Sequence, residues 1–390
     1  MFRATAHRIA RRAGVPGGIA IAVAAGLAGL AGPACRAPAG PADTTTRAEP
    51  GKADPGKPDP ARTRAGAAAP ATTAEETGED HAAPARRALV GSRAPSAVLG
   101  LLDGRTVALD DLIGHRPIYL KFWATWCVPC REQMPHLESA FRTHGDRIAV
   151  FAVDLGLNDP IEDVRAFQAE HQLTVPIAVD RDGSLAERFH VSVTPQHIFI
   201  DRDGVVRYVG HADMAEINAA LEALAAPAAA RGAAPLAAPA APPATADHPT
   251  VLALSLLDGT QFSIEAHTGA PVVLSFVSSW CDGYLAKSRP AMSEACIAHE
   301  HQIVELSRAH PGLTWVTIAD PVWTFAPSVD AYRKRIGLPT PIGIDEGSTW
   351  FHRFTVRSVP TTILLDAHGT ELARVTGRGD DLPAALSRLP

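Results

Sequence analysis

The chain has 390 residues, with 36 Lys and Arg against 42 Asp and Glu, for a formal charge of −6. That length suggests two or three domains, and mild acidity without a long basic block argues against a nucleic-acid partner. Its 33 prolines are unevenly spread, which points to linkers between compact units.

At the start of the chain, Arg3, Arg8, Arg11 and Arg12 precede the run GGIAIAVAAGLAGLAGPAC. A basic region followed by an apolar, small-residue core is the pattern of an export signal. Residues 1–35 are therefore expected to be a signal or a membrane anchor, since an apolar run of about 18 residues is long enough to span. Cys35 stands where a bacterial lipoprotein is cleaved and lipidated, but Gly32-Pro33-Ala34 lacks the usual Leu. Ala37 to Ala39 offers ordinary cleavage instead. Residues 36–88, rich in Ala, Pro, Thr and charge, read as a disordered tether. Residues 227–249 form a second Ala/Pro-rich stretch, suited to a semi-extended linker.

Two domain-sized regions remain, 89–226 and 250–390, and they repeat each other. LLDGRTVALDDLIGHRPIYLKFWATWC in the first parallels LLDGTQFSIEAHTGAPVVLSFVSSWC in the second. Asp103-Gly104 and Asp258-Gly259 fit tight hairpin turns. Further on, VSVTPQHIFIDRDG parallels VRSVPTTILLDAHG, with Asp201 and Asp366 each six residues after Pro195 and Pro360. The middles differ: the stretch from Cys281 to Pro360 is eleven residues longer than that from Cys127 to Pro195.

The elements follow in chain order. IYLKFWA and IAVFAVD are short apolar runs suited to buried strands. Met134, Leu137 and Phe141 have helical spacing, with Gly145 to end the helix. PIEDVRAFQAEH opens a helix on Pro160 and acidic residues. HIFIDRDGVVRYVG is a hairpin, and DMAEINAALEALAA closes the unit. This is an α/β sandwich around a mixed sheet, repeated in the second region with LTWVTIAD as its second strand.

KFWATWCVPC, followed well downstream by Thr194-Pro195 just before a strand, resembles the thioredoxin superfamily. DGRTVALDDLIG upstream and REQMPHLE downstream are similar to its TlpA/ResA-like branch of exported thiol-disulfide oxidoreductases. The resemblance covers 89–226, and 250–390 as a degenerate copy. It implies two tandem thioredoxin-like sandwiches and no cofactor. It implies protein thiols or disulfides as substrates and a membrane thiol as electron donor. Its targets would include apocytochrome c or the copper-site cysteines of respiratory enzymes. Localisation would be the periplasm or the outer face of the inner membrane. Pro195 is expected to be cis, placing the Thr194 backbone beside Cys127 where a substrate strand can pair.

The spacing of the cysteines has its own chemistry. At a helix start Cys127 gains thiolate character from backbone N–H groups and becomes the exposed nucleophile. The more buried Cys130 resolves the mixed disulfide. A staple of four residues would constrain little, and a zinc site would need a second ligand pair, which this region lacks. The Pro-x-x-x-Thr-x-x-Cys arrangement of peroxiredoxins is absent. Val128 and Pro129 bring no charge, and by resemblance point to the reductase direction, with oxidase as the alternative. Trp126 is expected to form part of the substrate surface. Lys121, where the superfamily usually has a buried acid, has two readings. It shuttles a proton at lowered pKa, or its stem packs while the ammonium reaches solvent.

In the second copy, Cys281 holds the nucleophile position, Tyr284 replaces the resolving thiol, and the dithiol cycle cannot run. In one straight helix Cys281 and Cys296 would lie about 22 Å apart, far beyond disulfide reach. A bond between them therefore requires the chain to fold back around Gly283 and Pro290. The competing reading makes Cys296, His299 and His301 metal ligands in a copper metallochaperone or scaffold. Otherwise this region is expected to dock a partner or shape the groove facing Cys127. Trp315, Trp323, Phe325 and Trp350 would serve that contact surface or the core.

Overall fold

The computed structural model describes residues 77–211, 214–226, 252–267 and 269–389. The segments expected to be an export signal and a linker (227–249), Cys35 and most of the expected tether lie outside them. Among the described residues no helix is long and apolar enough to cross a membrane.

The first half runs α1 (Gly78–Leu89), β1 (Val98–Gly100), β2 (Thr106–Ala108), β3 (Ile118–Trp123), α2 (Val128–Glu132) and α3 (Met134–His144). It continues with β4 (Ala149–Asp154), α4 (Ile161–Glu170), β5 (Ile177–Val179), α5 (Ser184–Arg188), β6 (Gln196–Ile200), β7 (Val206–Gly210) and α6 (Met214–Ala225). Its five-stranded sheet has the order β5-β4-β3-β6-β7. β3, β4 and β5 are parallel, whereas β6 and β7 run antiparallel. All six residues of β3 and of β4 are buried, as expected of central strands covered on both faces. β1 and β2 form a separate hairpin whose turn uses Gly104 at a φ of +87°, a region that favours glycine.

The second half repeats this order with β8 (Ala253–Ser255), β9 (Gln261–Ser263), β10 (Val272–Val277), α7 (Cys281–Tyr284), α8 (Pro290–Ala309) and β11 (Thr314–Ala319). It ends with α9 (Ala326–Ile336), β12 (Ile342–Ile344), α10 (Thr349–Arg353), β13 (Thr361–Leu365), β14 (Glu371–Thr376) and α11 (Leu382–Leu386). Its sheet order is β12-β11-β10-β13-β14, so the chain folds as two mixed α/β sandwiches in tandem. From Ala149, where β4 starts, to Pro195 the chain is as long as from Thr314, where β11 starts, to Pro360. The stretch from Cys281 to Thr314, by contrast, is longer than that from Cys127 to Ala149. The whole excess of eleven residues therefore lies in the α7–α8 segment.

One expectation is corrected. Composition carries the tether to residue 88, but residues 78–88 belong to α1. Thr77 and Asp80 form a reciprocal capping box, and His81, Ala82, Ala85 and Leu89 bury one face. Arg86 donates to the Val209 carbonyl at 2.9 Å and Glu79 accepts the His211 N–H at 2.7 Å, which holds α1 on β7. Alanine and histidine make most of that face, with Leu89 only at its end, so its period is hard to distinguish from an Ala-rich tether.

Candidate active site and its cover

β3 ends at Trp123, and the next four residues turn the chain into α2. Cys127 caps that helix with an extended backbone, and its Sγ accepts the Cys130 N–H at 3.2 Å. Pro129 occupies the first turn, where a missing N–H costs no helical bond. Cys127 and Cys130 are joined as a disulfide, their Cα atoms 5.2 Å apart. The Thr194–Pro195 peptide is cis, as is Val359–Pro360.

Lys121 lies inside β3 with no solvent exposure, and its Nζ donates to the Cys130 carbonyl at 3.3 Å. The snorkelling alternative is thus corrected: the strand is covered on both faces, and the ammonium ends inside. Burial pushes its pKa down to about 7. Opposite it on β6 is His197, which the sequence motifs do not single out. Its Nε2–H donates to Gln133 Oε1 at 3.0 Å, which leaves Nδ1 to accept the Tyr119 hydroxyl at 2.8 Å. Burial first, then the nearby Lys121 and His211, hold its pKa well below the usual imidazole range. Tyr119, Lys121, Gln133 and His197 line a cavity of about 10 Å³ beside α3. The one signal in the sequence is a titratable residue within the apolar run after Pro195. In the second half, Ser275 and Thr362 occupy the same paired positions.

An exposed Cys127 is the expectation from its chemistry, and this is the largest correction. It is 1 % exposed and Cys130 0 %, because the second half lies over the site. Trp126, expected on a substrate surface, is 1 % exposed; its indole donates to Leu157 and its ring packs against Trp280 at 4.9 Å. Tyr284, standing where a resolving cysteine would be, accepts the Val128 N–H at 3.0 Å. Arg289 reaches the Asn158 carbonyl at 2.9 Å, Asp159 at 3.2 Å and the Thr125 hydroxyl. The Asp159 side chain is fully buried.

The contact has a pseudo-two-fold pattern. Asn158 and Trp323 each stand nine residues after the start of the second strand of their sheets, and both have a positive φ, 55° and 58°. The Trp323 N–H donates to Ser192 O at 2.9 Å, and the Asn158 N–H donates to Arg357 O at 2.8 Å. Ser192 and Arg357 each lie three residues before the cis proline of their half. Trp323 Nε1 adds a bond to Thr194 O at 3.1 Å, and Asn158 Oδ1 accepts from Val359 N at 2.8 Å. Residues at matching positions also meet each other: Trp126 with Trp280, and Glu187 with His352 at 2.6 Å. Trp323 is further packed by His81 of α1 and by His211, at 5.3 and 5.0 Å between ring centroids. Phe325 also packs on His81, whereas Trp315 and Trp350 belong to the core.

Cys281 and Cys296 are bonded, with Cα atoms 6.2 Å apart. The chain folds back between α7 and α8, and Pro290 starts the second helix. The metal reading of Cys296, His299 and His301 is corrected accordingly. The Cys296 sulfur is in the disulfide, His299 is buried with its Nε2 on the Thr362 hydroxyl at 2.8 Å, and His301 is exposed. Among the described residues no three His, Cys, Asp or Glu side chains converge as metal ligands would.

A Cys-x-x-Cys disulfide at a helix start after β3, with a cis proline before its antiparallel partner β6 in a mixed five-stranded sheet, fits a thioredoxin-like thiol-disulfide site. Comparison with known proteins agrees. Residues 90–209 match the AhpC/TSA family. The thioredoxin-like protein YneN of Bacillus subtilis is 37% identical over 118 residues, 30% of this chain and 68% of that protein. The thiol-disulfide oxidoreductase ResA of Geobacillus thermodenitrificans is 34% identical over 121 residues, 31% of this chain and 68% of that protein. Among solved structures, the exposed lipoprotein thioredoxin Etrx1 of Streptococcus pneumoniae is 28% identical, covering 33% of this chain and all of that one, with a TM-score of 0.31. The chain belongs to the thioredoxin-like family of thiol-disulfide oxidoreductases.

Proposed function

We propose that the protein reduces disulfides in other exported proteins through the couple Cys127–Cys130. The observation that carries this reading is the placement of Cys127: it caps α2 and takes the Cys130 N–H on its sulfur, just past strand β3, whose partner β6 follows the cis Thr194–Pro195 peptide. In the reduced state the Cys127 thiolate attacks one sulfur of a substrate disulfide, and the other substrate sulfur leaves as a thiolate. Cys130 loses its proton and attacks Cys127 in turn. The substrate departs with both sulfurs reduced, and the two electrons it gained leave Cys127–Cys130 oxidised. A thiol donor must then reduce the couple, and a membrane dithiol suits an exported chain. Apocytochrome c and copper-site cysteines are the substrate classes we favour.

Lys121 supports the resolving step. Held at the Cys130 carbonyl with a pKa near 7, it takes up or returns a proton behind Cys130 at neutral pH. The neutral pair Val128-Pro129 favours the reductase direction over the oxidase one, because neither residue adds charge to stabilise the thiolate.

The test combines two measurements. Cys127→Ser abolishes catalysed reduction of insulin, and Cys130→Ser accumulates a mixed disulfide with substrate. The equilibrium of the couple with glutathione gives its potential. A value near −120 mV, the strongly oxidising end, would reverse the proposed direction.

A further inference from the structure

The reaction proposed above requires a substrate sulfur to reach Cys127, yet that sulfur is covered. The cover falls on the parts a substrate would use. In a thioredoxin-like site an extended substrate segment would pair with free backbone groups beside the cis proline. Here the carbonyls of Ser192 and Thr194 already accept from Trp323, one from its backbone and one from its indole. The first N–H of α2, at Val128, is taken by Tyr284. Arg289 closes the remaining side through Asp159 and Thr125. Each contact comes from residues 280–323, and the element with the eleven extra residues supplies two of them.

We propose that the second half is a lid that occupies the substrate edge of the first, and that protein disulfides reach Cys127 only when it swings away. The proposal rests on the reading of Cys127 as nucleophile. The pseudo-two-fold pattern explains how a degenerate copy serves this purpose. It presents to Cys127 the same face that Cys127 presents to it, so each half offers the donors that the other's proline loop accepts. Tyr284 and Arg289 both lie between Cys281 and Cys296 in sequence, so that disulfide holds the gripping segment in shape.

The full-length protein tests this. One opened form is the double variant Trp323→Ala/Arg289→Ala. A second, independent one is His352→Glu, which sets two carboxylates face to face across the contact. Two readouts are taken after confirming by circular dichroism that each variant is folded. One is the alkylation rate of reduced Cys127 by a bulky polyethylene-glycol maleimide, quantified on the Cys127 peptide. The other is turnover of insulin with dithiothreitol as reductant. Opening raises both by about ten-fold, the factor that ~1.4 kcal/mol of lost closing free energy produces. Rates unchanged from wild type in both folded variants overturn the lid. If alkylation accelerates on opening while no form exceeds uncatalysed insulin reduction, the lid stands and the reductase reading fails.

Discussion

At the residue scale, Lys121 states most clearly what the site demands. A lysine inside a central strand keeps its charge only against the full cost of desolvation, and burial alone lowers its pKa to about 7. In the unfolded chain it titrates near its ordinary value of 10.5. Between those values the unfolded state binds more protons, so this group makes stability rise as pH increases from about 7 to 10.5. Below pH 7 the cost of burying the charge is fully present. Lys121→Met therefore raises stability most below pH 7, and the gain shrinks toward pH 10; urea unfolding at pH 6 and pH 10 measures it. The same variant flattens the pH profile of insulin reduction around neutrality, and an unaltered profile would remove Lys121 from the proton path. Lys121 was legible in the sequence because it breaks an apolar run six residues before Cys127. Its neighbour His197 was not, because only the pairing of β3 with β6, two strands far apart in the chain, brings them together.

At the scale of elements, the α7–α8 segment carries what distinguishes the second half. Comparing the two copies revealed eleven extra residues but could place them only between Cys281 and Pro360. The fold puts them all before β11, in a longer α8 and the connection leading to it. The Cys281–Cys296 bond spans that connection with a sequence separation of 15. Chain entropy assigns a loop of this size about 3 kcal/mol. Cys281→Ser/Cys296→Ser should lose stability of that order, with a lower melting temperature, and should also quicken alkylation of Cys127. Helix α1 shows what the sequence conceals at this scale. Its buried face is mostly alanine and histidine, with Leu89 only at its end, and its capping box of Thr77 and Asp80 lies within residues otherwise typical of a tether.

At the scale of the whole molecule, the fold of each half was legible because the motifs at both ends of the repeat fix its topology. The face-to-face arrangement was not. No local pattern distinguishes Trp323 as a docking residue from an ordinary core tryptophan, and the bonds of Asn158 run to Arg357 and Val359, in the other half of the chain. The two halves share one continuous hydrophobic cluster, which includes Trp126, Cys127, Cys281, Val322 and Val359. Such shared burial makes their unfolding cooperative, so calorimetry should show a single transition in which calorimetric and van't Hoff enthalpies agree. Arg289→Ala leaves the buried Asp159 without its cation and weakens the contact between the halves. Together with Trp323→Ala it should split the melt into two transitions, one for each half.

An interface in which matching positions meet across an axis is the form a symmetric dimer takes. Here both partners belong to one polypeptide. Their encounter is intramolecular and is set by an effective concentration, not by how much protein is present. Dilution therefore leaves the balance of closed and open forms untouched. A rate of entry to Cys127 measured at nanomolar protein applies equally at cellular abundance, and only a competing ligand or a change in the contact itself will shift it.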